Sequence, residues 1–133
     1  MTNEDRNKII CLDLDGVIYP NLIWLGSHTL RGKPVNGSKE AIDELKEDYT
    51  IIINSARFND AATIPKVKEW LDDNDIYYDE LSEKKPHADI YIDDKAIGFS
   101  GNWDNTLSDV YRFKQWQTDK KEIAYNNLRK WRR

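Results

Sequence analysis

Ile9-Ile10-Cys11-Leu12-Asp13-Leu14-Asp15-Gly16 is an apolar run that ends in two carboxylates and a glycine. Side chains that are hydrophobic at consecutive positions bury both faces of an extended segment. That is the pattern of an interior strand in a parallel sheet, not of a strand with one wet face. The chain must turn at Asp15-Gly16. In open α/β sheets ligands bind beyond the carboxyl ends of the strands, so polar residues delivered to that edge are the candidates for chemistry.

Outward from this run the alternation continues. Tyr49-Thr50-Ile51-Ile52-Ile53 is a β-branched second strand that ends in Asn54-Ser55-Ala56-Arg57. Between the two, Asn36-Gly37-Ser38 starts a helix over roughly 38–48, with Ala41, Ile42 and Leu45 on one face. A second helix begins near Ile64 with Pro65 in its first turn, where a missing N–H costs nothing. Val67, Trp70 and Leu71 form its apolar face and Asp72-Asp73-Asn74 ends it. A short strand is predicted at Ile76-Tyr77-Tyr78, and a buried fourth at Asp89-Ile90-Tyr91-Ile92, ending in Asp93-Asp94. Leu107, Val110 and Tyr111 space one further helical segment; Ile123, Asn127, Leu128 and Trp131 space another. Residues 17–35, with Gly26, Gly32, Pro20 and Pro34, read as a loop or short hairpin. Strand–helix alternation of this kind predicts an α/β fold with a mainly parallel sheet.

The 133 residues suit one domain over 1–133, with a core at about 8–116. Of the chain, 39% is hydrophobic and 33% charged, and seven Tyr, five Trp and three Phe exceed what a disordered segment carries. No apolar run approaches the roughly 18 residues of a membrane span, and the N-terminus is hydrophilic, so a cytoplasmic protein with no membrane partner is expected. The single cysteine, Cys11, excludes an internal disulfide framework and any multi-cysteine metal site. The formal charge of −4 divides unevenly. Residues 1–111 hold 12 basic and 22 acidic side chains, whereas 112–133 hold 8 and 2. A basic helix over 119–133 can draw a polyanion such as a nucleic-acid end, and it can equally be a solvated helix face.

At the strand ends, Asp13 and Asp15 share a face and can meet one ligand, although an acidic turn or a helix start gives the same string. Ser55 can hydrogen-bond a phosphate oxygen, and is also a common turn residue. Arg57 can fork onto a phosphate or a carboxylate. Lys85, ahead of Pro86, can hold like charges together and neutralise a phosphoryl group. Asp93 and Asp94 would repel each other without a cation; Mg²⁺, a hard ion, takes a few carboxylates plus water and phosphate oxygens. Three strands thus deliver polar groups to one edge of the sheet.

In this order the elements Leu12-Asp13-Leu14-Asp15-Gly16-Val17, Ile51-Ile52-Ile53-Asn54-Ser55, Lys85-Pro86 and Tyr91-Ile92-Asp93-Asp94 resemble the signature of the haloacid dehalogenase-like (HAD) hydrolases. The resemblance covers residues 8 to about 99 and is to the small members without a large cap domain. It implies a Rossmann-like three-layer sandwich, with residues 17–35 as a short flap in place of a cap. It implies a Mg²⁺-dependent phosphatase acting on phosphate monoesters through an aspartyl-phosphate. Asp13 would be the nucleophile and Asp15 the general acid and base. Asp13, the backbone carbonyl of Asp15 and one or both of Asp93 and Asp94 would hold the metal, while Ser55 and Lys85 bind the phosphoryl group with help from Asn54, Arg57 and Gly16. Asp15 favours a phosphatase over a dehalogenase, because a leaving alkoxide needs a proton. An open cleft suits a phosphorylated small molecule, a nucleic-acid end, or a site completed by another subunit.

Two other readings compete. A HAD-like phosphate-binding or regulatory protein without turnover would keep the fold and lose the reaction. A response-regulator receiver also carries an acidic pair, a Ser/Thr and a Lys, but its acidic pair ends the first strand and its Lys follows the last. Here the order is reversed. Cys11 reads as a small buried hydrophobe, and His28 and His87 as surface residues too far apart for a zinc site. Tyr19 and Trp24 either wall a pocket or pack the flap, and Trp103, Trp116 and Trp131 read as packing residues.

Overall fold

The first apolar run is the central axis of the sheet. In the computed structural model, which describes residues 8–20 and 25–116, β1 (Lys8–Asp13) pairs in parallel with β2 (Tyr49–Asn54) on one side and β4 (Ile90–Ile92) on the other. β3 (Glu80–Ser82) pairs in parallel with β2, giving the order β3-β2-β1-β4. Register aligns Asp13 with Asn54, so the polar ends of β1 and β2 arrive side by side. Trp24, Trp131 and the predicted 119–133 helix lie outside the described residues.

Helix α1 (Ser38–Leu45) joins β1 to β2, and α2 (Thr63–Asp73) joins β2 to β3. Both connections step in the same direction across the sheet, so right-handed crossovers place both helices on one face. Ile10, Leu12, Leu14, Ile51 and Ile53 point into that layer and meet Ile42, Val67, Trp70 and Leu71. Cys11 and Ile52, on the opposite face, are also buried. Burial on both faces is what makes the run continuous rather than alternating. Each of the fully buried isoleucines contributes roughly 1.5–3 kcal/mol relative to an exposed position.

The helix ends follow from local chemistry. Gly37 caps α1 at φ 88°, a left-handed conformation that glycine adopts without steric cost. α1 stops at Leu45, short of the predicted 48, and Ala41 is exposed while Ile42 and Leu45 carry the contact. At the end of α2, Asp75 takes φ 56°, the Asp75 N–H donates to Asp72 O at 3.1 Å, and the Ile76 N–H donates to Leu71 O at 2.9 Å. This paired closure, with Ile76 tucked into the core, is a Schellman stop.

That stop corrects the predicted third strand. Ile76-Tyr77-Tyr78 does not pair; the strand lies at Glu80–Ser82. Ile76 is committed to closing the helix, so the sheet begins only after Asp79. Asp79 donates its N–H to Ile51 O at 2.9 Å and accepts the Ile51 N–H on Oδ2 at 2.8 Å. Asp89 does the same with Ile9 ahead of β4, at 2.8 and 2.7 Å. One aspartate thus aligns each outer strand with its neighbour.

A second correction concerns β4. Its predicted burial fails: Ile90, Tyr91 and Ile92 are each about 40% exposed at the edge of the sheet. Helix α3 (Trp103–Arg112) forms as the spacing of Leu107, Val110 and Tyr111 predicts, but buries none of its residues. Trp103, read as a packing residue, is 68% exposed and touches Phe99 at 5.0 Å between ring centres. No helix among the described residues is long and apolar enough to cross a membrane.

Candidate active site

Beyond β1 the chain makes a tight turn whose hub is the Leu14 carbonyl, which accepts N–H groups from Ile18 at 3.1 Å and Tyr19 at 2.8 Å. Gly16 sits in this turn at φ 87°. A Cβ there would lie 2.5 Å from Asp94 Cγ, so the position requires glycine for both its backbone and its space. The turn therefore brings β1 against the residues that follow β4.

There, Asp13, Asp93 and Asp94 offer carboxylate oxygens that all lie within 4.8 Å of one another. Burial and then the charges of Asp93, Asp94 and Asp15 push the Asp13 carboxyl from 3.8 up to about 7. Asp94 Oδ1 is buried with no hydrogen-bond partner, while Oδ2 accepts from Gln115 Nε2 at 3.0 Å. An orphaned carboxylate oxygen beside two further carboxylates fits a hard cation, which supplies the missing partner and relieves the repulsion. The donor set is all oxygen, suited to Mg²⁺ or Ca²⁺ and not to a thiophilic ion. Asp15, expected to reach a metal through its backbone carbonyl, contributes no carboxylate oxygen to this triad.

Asp15 belongs to a second group. Its carboxylate takes Arg57 Nη2 at 2.8 Å on Oδ1 and Arg57 Nε at 3.0 Å on Oδ2. Ser55 Oγ lies 3.5 Å from Asp15 Oδ2 and accepts the Arg57 N–H at 3.1 Å, capping the single 3₁₀ turn Ala56–Asn59. Ser55 and Arg57 are both buried. Arg57, expected to touch substrate, is instead turned onto Asp15 and the flap, and its planar fork explains the choice.

The remaining expected residues separate. Asn54 Nδ2 donates to Ser82 O at 2.9 Å and the Asn54 backbone carbonyl accepts the Leu14 N–H at 3.0 Å, so this residue ties strand ends together. Lys85 is exposed, with Nζ 4.6 Å above the Tyr91 ring, and no ion pair joins it to a site carboxylate among the described residues. Its charge does reach Cys11, whose thiol burial pushes up and Lys85 draws back down. His28 is half exposed and meets Asp60 Oδ2 at 2.7 Å. Tyr19 packs the flap: it lies edge-on to Trp70 and its hydroxyl accepts the Arg31 N–H at 3.2 Å.

Two contributors were not anticipated. Trp116 Nε1 donates to Gly16 O at 2.8 Å across 100 residues of sequence, and Gln115 holds Asp94. They bring the chain after α3 back to the carboxylates. Neither belongs to a periodic apolar pattern or a motif, so the sequence carries no signal for them. No family model matches the chain, nor does any curated protein or solved structure.

Proposed function

We propose that this chain is a HAD-type phosphatase that hydrolyses a phosphate monoester through an aspartyl-phosphate on Asp13, with Mg²⁺ held by Asp13, Asp93 and Asp94. The observation that carries the reading is the carboxylate triad with its orphaned Asp94 oxygen, standing one turn from Asp15 at the carboxyl edge of a parallel sheet. When bound, the cation supplies positive charge that neutralises the carboxylates and the phosphoryl oxygens.

In the first half-reaction an Asp13 carboxylate oxygen attacks phosphorus. The P–O bond to the leaving group breaks, and that oxygen takes the proton of Asp15, releasing an alcohol. In the second, Asp15 accepts a proton from water as the water oxygen attacks phosphorus. The bond to Asp13 then breaks, releasing phosphate and restoring both side chains. Splitting the reaction in this way replaces one difficult step by two easier ones, and the proton transfer contributes typically ~10²–10⁴ in rate. Ser55 and Lys85 bind the phosphoryl oxygens, Lys85 leaving the Tyr91 ring to do so. The substrate is a phosphorylated small molecule or a nucleic-acid end.

Release of p-nitrophenol from its phosphate, measured with and without Mg²⁺ for the wild type and Asp13→Asn, tests the proposal. Turnover that needs Mg²⁺ and vanishes in Asp13→Asn is expected; equal rates for the two proteins would overturn it. The competing reading, phosphate binding without turnover, draws on the full pairing of Asp15 with Arg57 and predicts bound phosphate and no product.

A further inference from the structure

Arg57 is almost wholly enclosed, its side chain 2% exposed against 22% for Asp15. It uses its two edges differently. The Nε/Nη2 edge forks onto the Asp15 carboxylate. Nη1 gathers three carbonyls of the flap: Ser27 at 2.9 Å, Gly26 at 3.1 Å and Thr29 at 3.4 Å. Its face lies 5.3 Å from the Tyr19 ring, and that ring's hydroxyl accepts the Arg31 N–H. Its backbone N–H is fixed by Ser55. A buried guanidinium with one edge on a carboxylate and the other on loop carbonyls makes each the condition for orienting the other.

We propose that Arg57 is a positioning residue that couples the order of flap residues 25–31 to the setting of Asp15, so that the two are gained and lost together. Substrate contact is not its task; its donors are directed at Asp15 and the flap. The kinetic half of this proposal rests on the phosphatase reading, whereas the structural half does not.

Amide hydrogen exchange reads the structural half. Asp15→Ala removes Arg57's carboxylate partner without touching the flap, and is expected to speed exchange at Thr29 and Arg31 by about tenfold. Arg57→Gln is expected to do the same. A purely structural arginine would loosen the flap in Arg57→Gln and leave it protected in Asp15→Ala, and that result overturns the coupling. Arg57→Lys, which keeps a buried charge but cannot reach both partners, serves if Arg57→Gln does not fold.

The kinetic half is read from leaving groups. p-Nitrophenolate departs without a proton, whereas an alkoxide needs one from Asp15. Arg57→Gln should lower kcat on glycerol 2-phosphate by about 10²-fold, the usual effect of a misplaced catalytic group, with KM little changed and p-nitrophenyl phosphate much less affected. In an Asp15→Ala background the same change should cost nothing further. Equal losses on both esters, or losses that multiply in the double variant, overturn the proposal. A wild type that hydrolyses neither ester ends the phosphatase reading, and exchange still decides the coupling.

Discussion

Gly16 and Asp94 compete for one volume: the space a Gly16 side chain would fill is occupied by the Asp94 carboxylate. The first turn after β1 and the last residues of the acidic pair are therefore fitted to each other. Gly16→Ala must both adopt φ near 87° and displace Asp94. The backbone alone costs roughly 1–2 kcal/mol. We expect a lowered melting temperature and loss of any stabilisation by Mg²⁺, measured by thermal unfolding with and without the ion.

The raised Asp13 carboxyl gives stability a definite pH dependence. Between about pH 4 and pH 7 the folded protein holds a proton there that the unfolded chain has released. Stability from this group is thus greatest at low pH and falls as pH rises toward 7. Melting curves of the metal-free protein from pH 4.5 to 8.5 should show this decline relative to Asp13→Asn, in which the group cannot titrate. Stabilisation by Mg²⁺ should grow over the same range, because the ion competes with that proton.

Ser55 caps the turn that carries Arg57. Ser55→Ala strands a buried N–H and should cost about 1 kcal/mol, while Ser55→Thr retains the acceptor and most of the stability. Urea unfolding of the two variants distinguishes the cap from side-chain volume.

Interior and edge strands should respond differently to the same truncation. Ile53→Ala opens a cavity in a position with no exposure and should cost about 2–5 kcal/mol. Ile92→Ala, at a site 40% exposed, should cost well under half as much. Similar losses from the two would contradict the strand order.

What could be read in the sequence was what depends on neighbours along the chain. Apolar runs at 9–12 and 49–53 mark strands because both faces are buried, and Gly37 and Pro65 mark helix starts through their own backbone preferences. Asp13, Asp93 and Asp94 were legible as candidates because Asp13 ends β1 and the other two follow β4. The sequence misled where one residue type serves two purposes. Ile76-Tyr77-Tyr78 has the composition of a strand, yet Ile76 closes α2 and Asp79 makes the first ladder contact. The resemblance assigns Arg57 to substrate although its fork suits a carboxylate as well, and only the approach of Asp15 and the flap shows which partner it takes. Trp116 and Gln115 act through contacts 100 and 21 residues distant, a kind of information that periodicity does not carry.

The strand order also has a consequence for how the protein is made. β1, β2 and β3, with both packed helices, are encoded in residues 8–82, and each is joined to the next by a helical crossover. A growing chain can lay down this unit, with Asp13, Asp15, Ser55 and Arg57 in place, before β4 leaves the ribosome. The mutually repelling carboxylates meet only afterwards, when a three-residue strand docks on β1 across some 80 residues. Assembly of the carboxylate cluster is thereby postponed to the last pairing of the sheet to be synthesised, and a divalent ion bound there would act as a clasp.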